Sequence, residues 1–200
     1  MDGIINEILK CCSPVIEPAI AAAFNKCIEE RTFPKCIKIA KVITICKKGD
    51  KRKPENYRPI SLLSSISKVF EKLLQLRMIK FCGKNSNISG NQYGFRSKRS
   101  CIDAIVFITE FIRTESDRKF LGQACFIDLQ KAFDTLDHNI LLQKMEKYGY
   151  RGPIHDMIKS YLSGRWQYVD TNGKETNQKR ITTGVPQGSI LSFPLPTLYQ

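Results

Sequence analysis

Apolar residues recur at helical spacing from Ser65 to Phe81, where Ile66, Val69, Phe70, Leu73, Leu74 and Met78 make one stripe and charged residues take the other side. This is the best-patterned helix of the chain. Ser100-Cys-Ile-Asp103 has the form of a capping box and predicts a helix running to about Thr114. Two more helices are predicted over His138–Tyr148 and Pro153–Leu162. Gly149 follows the first, Pro153 sits in the first turn of the second, and Gly164 lies just past its end. Near the start, Ile4–Lys10 and Ala19–Glu30 read as two short helices, because Pro14 and Pro18 lack amide donors and interrupt the pattern.

Strand signals alternate with these. The β-branched run Ile37–Cys46 predicts a strand, followed by a basic turn at Lys47-Lys48-Gly49-Asp50 and a loop to Asn56. Asn85–Arg99 is polar and glycine-bearing, hence a loop. Gln123–Leu129 is a short apolar run that predicts a buried strand ending at Asp128. Arg165–Thr171 and Lys174–Thr183 flank Asn172-Gly173, a strong hairpin signal. A glycine-bracketed turn, Gly184-Val-Pro-Gln-Gly188, then leads to Ser189 as a helix cap. The order predicts helices and strands around a small sheet, an α+β architecture.

Composition changes the picture in one respect. Apolar and charged contents of 42% and 26% are ordinary, but the net charge is +13. Such a balance favours a polyanionic partner. The charge is also localised: residues 31–60 carry ten Lys or Arg against Asp50 and Glu55, whereas 181–200 carry no charge. The eight cysteines are scattered, with no CxxC pair and only two histidines, so zinc spacing is absent and reduced, mostly buried thiols are expected. No secretory signal or apolar run long enough for a bilayer is present, so an intracellular protein of cytoplasm or nucleus, without a membrane partner, is expected.

Three segments carry candidate chemistry. Asp128, at the end of an apolar run, could hold a magnesium ion through its hard oxygens; the plainer alternative is a cap on the next turn. Gly184–Ser189 could let backbone approach a ligand closely, or simply connect loop to helix. The basic run from Lys41 to Arg58 could clamp phosphates, or form a solvated face.

Taken together these segments resemble a known family. Phe126–Asp134, Gly184–Leu191, Asn56-Tyr-Arg-Pro-Ile-Ser-Leu-Leu63, Gln92-Tyr-Gly-Phe-Arg96 and Ala40–Gly49 follow, in order, blocks of the reverse transcriptases of non-LTR (LINE-type, jockey-like) retrotransposons. Asp2-Gly-Ile4 resembles the segment ahead of them. Intron-encoded maturases and telomerase share the blocks around Asp128 and Gln187, but the wording of 56–63 and 92–96 favours the LINE-type group.

The resemblance implies a right-hand polymerase: a helical lead-in over 1–34, fingers over 35–122 and a partial palm over 123–200, with a fingers-type hairpin at 165–183. It implies that Asp128 is the first metal-binding carboxylate, with the Leu129 carbonyl as a second ligand for Mg2+ or Mn2+. Phe133 would lie under the sugar of the incoming nucleotide. Arg58, with Lys47 or Lys48, would hold the triphosphate, and Gln187 and Gly188 would pack on the nucleotide. Lys41 and Arg96 would contact nucleic acid. The partners implied are an RNA template, a DNA primer and deoxynucleoside triphosphates; oligomeric state is left open.

The sequence also departs from the family. No adjacent Asp pair of the Tyr-Ala-Asp-Asp type occurs, and neither a second catalytic hairpin nor a thumb is recognisable. Pro194 and Pro196 should stop the last helix early. Two-metal nucleotidyl transfer needs several carboxylates. These 200 residues are therefore expected to bind metal weakly and to be inactive alone. The alternatives are a non-catalytic nucleic-acid-binding module or a relic without function.

Overall fold

The computed structural model describes residues 6–47, 49–85, 89–96, 98–129, 131–171 and 173–192, with backbone alone for 83–85. Asp2–Ile4, Lys48, Asn172 and the proline-bearing tail from Phe193 lie outside the described residues. The chain is mixed helix and sheet and divides into two compact units, one of residues 1–79 with 131–200, the other of residues 80–130.

The first unit is built on a five-stranded sheet. Its strands are β1 (Ile39–Cys46), β2 (Tyr57–Leu62), β3 (Arg165–Thr171), β4 (Lys174–Glu175) and β5 (Lys179–Ile181). β1 lies between β2, which is antiparallel to it, and β3, which is parallel to it; β4 and β5 both pair with β3. The strand at Tyr57–Leu62 has no counterpart among the predicted elements, and it carries Pro59 inside it. The register puts Pro59 opposite Thr44 on a strand at the end of the sheet, where a missing amide breaks no second ladder. Alternation along β1 buries Ala40 and Val42 and leaves Ile39, Ile43 and Ile45 on the open face.

Helix α1 (Asn6–Glu29) runs unbroken through Pro14 and Pro18, against the expectation of two short helices. The prolines are four residues apart, so the two missing amides fall on one side of the helix, and both residues are exposed. The carbonyls left unpaired are thus within reach of solvent, which makes the interruption tolerable. α2 (Ser65–Asn85), α3 (Cys101–Asp117), α4 (His138–Lys147) and α5 (Pro153–Leu162) follow the predicted helices closely.

Phe70 on α2 is fully buried between Phe24, with ring centroids 4.4 Å apart, and Phe33, at 5.2 Å. Tyr161 of α5 meets Phe33 edge-on at 5.1 Å. Tyr150 reaches across to donate to the Met78 carbonyl at 2.9 Å. Leu141, Met145, Met157 and Ile158 from α4 and α5 add to the interior. The cysteines do not join it as expected: Cys82 is buried, but Cys11, Cys12, Cys36, Cys101 and Cys125 are exposed.

Two cations are buried where β1 and β3 begin. Arg165 is 1% exposed, lies 4.6 Å over the Tyr161 ring and donates to the Tyr161 carbonyl at 3.3 Å. Lys38 is satisfied by α5, whose end presents the Ser160 carbonyl at 2.6 Å and the Ser163 carbonyl at 3.1 Å to its ammonium. Burial, helped by the Arg165 charge, lowers the Lys38 amine to about 8. The folded state therefore resists the charged form, and this penalty is complete below pH 8. It is relieved as pH rises toward the unfolded lysine value. Tyr161, pushed upward mainly by burial, acts oppositely once unfolded tyrosine ionises near pH 10. Stability is expected to rise from pH 8 to 10 and then to fall. Chemical denaturation of the protein and of Lys38→Met checks this: the rise should be missing in the variant, and an equal rise in both proteins refutes it.

The second unit is built on α3. Ser100 caps it as predicted: its hydroxyl accepts from the Asp103 amide at 3.2 Å, and the Asp103 carboxylate accepts from the Ser100 amide at 2.6 Å. The Ser100 hydroxyl also donates to this carboxylate at 2.8 Å, and that bond first, with the one from the Ser100 amide, holds the Asp103 carboxyl below the usual carboxylate range. The buried strand predicted at Gln123–Leu129 does not form. The segment is irregular, and Phe126, Ile127 and Leu129 are 83%, 82% and 65% exposed. A strand exists only with a partner for its amides and carbonyls, and among the described residues no sheet pairing reaches this run.

Candidate functional site

Three sequence blocks meet within the first unit. The turn at 184–188 is laid against β2 on one side and against the 131–138 segment on the other. Its Gln187 carbonyl accepts from the Ser61 amide at 2.7 Å, which occupies the outer edge of β2. Its Val185 amide donates to the Phe133 carbonyl at 2.8 Å, and its Gly184 amide to the Leu136 carbonyl at 2.8 Å. His138 Nε2 lies 2.7 Å from the Gly184 carbonyl; since a carbonyl only accepts, that nitrogen carries the proton.

The two glycines are required by this close packing. A Cβ on Gly184, whose φ is +77°, would lie 2.6 Å from the Phe133 carbonyl oxygen and 2.8 Å from Asp134 Cα. A Cβ on Gly188, at φ +121°, would lie 2.5 Å from the Ser61 carbonyl oxygen. Gln187 between them is half-buried, and its side-chain amide donates to the Asp134 carboxylate at 3.1 and 3.3 Å.

The turn is anchored from below by a group that sequence reasoning missed. Glu71 of α2 is fully buried, and Oε2 accepts from the Ser189 hydroxyl at 2.7 Å and the Ile190 amide at 2.9 Å. Oε1 accepts from the Ser67 hydroxyl at 3.0 Å. Tyr161 adds its hydroxyl 2.6 Å from that of Ser189, and Ser189 in turn accepts from the Leu191 amide, the capping contact predicted for it. The signal was present: Ser67, Phe70, Glu71, Leu74 and Met78 share one helical face. The reading that placed every charge on the opposite face of this helix is corrected by Glu71, while Val69 and Leu73 from the predicted apolar stripe are 47% and 43% exposed.

The remaining predicted residues distribute as follows. Arg58, on β2 opposite Ile45, is exposed on the open face of the sheet. Lys47 is exposed where the β1–β2 connection begins, with its main-chain amide bonded to the Asn56 carbonyl at 2.8 Å. Lys41 is engaged elsewhere, 2.6 Å from the Asp170 carboxylate and 3.7 Å from that of Glu175. The Asp170 hydrogen bond raises the Lys41 amine, and the same bond lowers the Asp170 carboxyl. In the second unit, Arg96 donates to the Ser89 carbonyl at 2.8 Å, and Arg99 lies 4.9 Å over the Tyr93 ring.

Asp128 and Leu129 also belong to the second unit, both exposed. The Asp128 carboxylate and the Leu129 carbonyl are hard oxygens of the kind a magnesium ion takes. They suit the cation's chemistry but fall short of its coordination number: among the described residues no three His, Cys, Asp or Glu come together as ligands. Nor, among the described residues, is any helix long and apolar enough to cross a membrane.

Comparison with known proteins gives these blocks their context. Residues 45–200 match the model of the reverse transcriptase (RNA-dependent DNA polymerase) family. The chain is 34% identical over its whole length to a Drosophila melanogaster protein described as a probable RNA-directed DNA polymerase from transposon BS. It is 35% identical, over 99% of its length, to one from transposon X-element of the same species. Over 90% of its length it is 33% identical to the RNA-directed DNA polymerase from mobile element jockey. It spans 22%, 22% and 19% of the lengths of these relatives. The segments 56–63, 131–138 and 184–189, which the fold brings into contact, all lie inside the matched region, and the chain belongs to the reverse transcriptase family.

Proposed function

We propose that this chain supplies the nucleotide-holding part of an RNA-directed DNA polymerase encoded by a LINE-type retrotransposon. The observation that carries the reading is the packing of the Gly184–Gly188 turn between β2 and the Phe133–Asp134 turn. The turn is bonded through its Gln187 carbonyl to β2, the strand that bears Arg58, and through its Val185 amide to the Phe133 carbonyl, and this supports the reading. On this reading residues 35–122 correspond to fingers and 123–200 to part of a palm, preceded by a helical segment over 1–34. Arg58 and Lys47 hold the triphosphate, with Lys48 as an alternative for the latter. Phe133 lies under the sugar, while Gln187 and Gly188 pack on the nucleotide. Arg96, with Lys41 more peripherally, contacts nucleic acid.

The partners are an RNA template, a DNA primer and deoxynucleoside triphosphates. Asp128 and the Leu129 carbonyl would contribute to holding a divalent cation, Mg2+ or Mn2+, which supplies charge stabilisation for in-line phosphoryl transfer. What the chain's own residues do is bind and orient. Arg58 offers a planar fork to phosphate oxygens and Lys47 a point charge. The rigid turn fixes the height at which a nucleotide would rest on Gly188, where backbone meets backbone without an intervening side chain.

Binding of an RNA–DNA primer-template measured across salt concentrations tests this. The logarithm of affinity should fall linearly with that of salt concentration. Lys47→Glu with Arg58→Glu should weaken binding uniformly across sequences and make the slope shallower by roughly one to two units. Deoxynucleoside triphosphate should bind the protein and bind the double variant at least tenfold more weakly, given about 1.5–3 kcal/mol per charged hydrogen bond. Affinity indifferent to salt, or a double variant that binds nucleotide normally, defeats the reading.

A further inference from the structure

The geometry points to Asp134 as the positioning residue for Gln187, fixing which end of its carboxamide faces outward. A carboxylate can only accept, so the group of Gln187 lying 3.1 and 3.3 Å from the two Asp134 oxygens is its NH2. The carboxamide is planar, and its oxygen therefore faces away from Asp134. That oxygen has no hydrogen-bond partner among the described residues.

The contact is not needed to attach the turn. Main-chain bonds from Ser61 to Gln187, from Val185 to Phe133 and from Gly184 to Leu136 already do so. What the side-chain bond adds is orientation. Without a carboxylate, nothing distinguishes the two ends of the amide, and it can turn over at little cost.

The consequence is chemical selectivity at one point of the pocket. The Gln187 oxygen and the Asp134 carboxylate form a patch of acceptors, one of them charged. Such a patch repels phosphate oxygens and welcomes an O–H or N–H donor. A nucleotide bound here would turn its sugar hydroxyl or a base amino group toward Gln187 and its phosphates toward the basic residues of the β1–β2 connection. This last step rests on the nucleotide-pocket reading; the orientation of Gln187 does not.

Two measurements separate the two. The first is the side-chain amide signal of Gln187 in 15N–1H spectra of the 200-residue chain. The two protons should be dispersed in the protein, collapse to the free-glutamine position in Asp134→Ala, and disperse again in Asp134→Glu. An unchanged signal in Asp134→Ala overturns the inference. Asp134 is exposed, and its backbone contacts with Gly184 are untouched by these changes, so the fold is expected to persist.

The second measurement compares deoxyadenosine triphosphate with inorganic tripolyphosphate. The protein should favour the nucleotide, and Asp134→Asn should reduce that preference about fivefold, the worth of one hydrogen bond, while leaving tripolyphosphate affinity level or raised. Equal preference in the protein and in Asp134→Asn overturns the selectivity. A protein that shows no preference for nucleotide at all defeats the pocket reading instead, and the amide spectrum still decides the orientation.

Discussion

Gly184→Ala is expected to lower the stability of the first unit by about 3 kcal/mol or more, a large part of what a domain of this size possesses. Two costs add. Left-handed backbone at φ +77° strains any side chain by roughly 1–2 kcal/mol. The new methyl would also lie within 3 Å of the Phe133 and Asp134 carbonyl oxygens and of Asp134 Cα. Those are main-chain atoms of a turn already bonded to Gly184 and Val185, so they cannot swing aside as a side chain would. Gly164 provides the comparison, because its φ is +63° and a Cβ there meets nothing within 4 Å. Gly164→Ala should therefore show the strain alone. Chemical denaturation of both variants measures the difference, and equal losses at the two positions would show that the close packing around Gly184 contributes nothing.

Glu71→Ala is expected to cost about 3 kcal/mol for a different reason. It takes the acceptor from Ser67, Ser189 and the Ile190 amide at once, inside an apolar interior. The hydroxyls can rotate toward other acceptors, whereas the Ile190 amide cannot. Glu71→Gln keeps one acceptor oxygen and turns an NH2 toward a donor, so it should recover only part of the loss. Hydrogen exchange gives the local reading: the Ile190 amide should lose most of its protection in Glu71→Ala. Unaltered exchange there would mean that the carboxylate does not hold the turn.

The helices of this protein are legible because each reports itself locally. Ser100 and Asp103 cap α3 with groups three residues apart, and Pro153 and Gly164 bracket α5. What depends on distant partners is less legible. Tyr57–Leu62 is a strand because β1 and the Gln187 carbonyl flank it, and neither partner is adjacent to it in sequence. Gln123–Leu129 has the composition of a strand, but composition does not supply a neighbour to pair with. At the site, the glycines of the turn signalled close approach, and the structure shows what approaches: carbonyls of Ser61 and Phe133. The supports of the turn, Glu71 and His138, come from far along the chain and carried no mark beyond helical spacing. The link between Asp134 and Gln187 spans 53 residues and was equally hidden.

The parallel pairing of β1 with β3 has a kinetic consequence. β1 gains its second neighbour only from residues past Arg165, and the contact between Phe33 and Ser160 spans 127 residues. Joining segments so distant requires closing a long loop before any of its contacts are rewarded, which places this sheet among slowly formed, high-contact-order topologies. On the ribosome, residues 39–46 emerge with only the β2 hairpin partner available and must wait for the α5–β3 segment to be synthesised. During that interval Ala40 and Val42 have no cover from β3. A chaperone that binds short apolar segments should therefore engage the nascent chain most strongly before Arg165 leaves the exit tunnel.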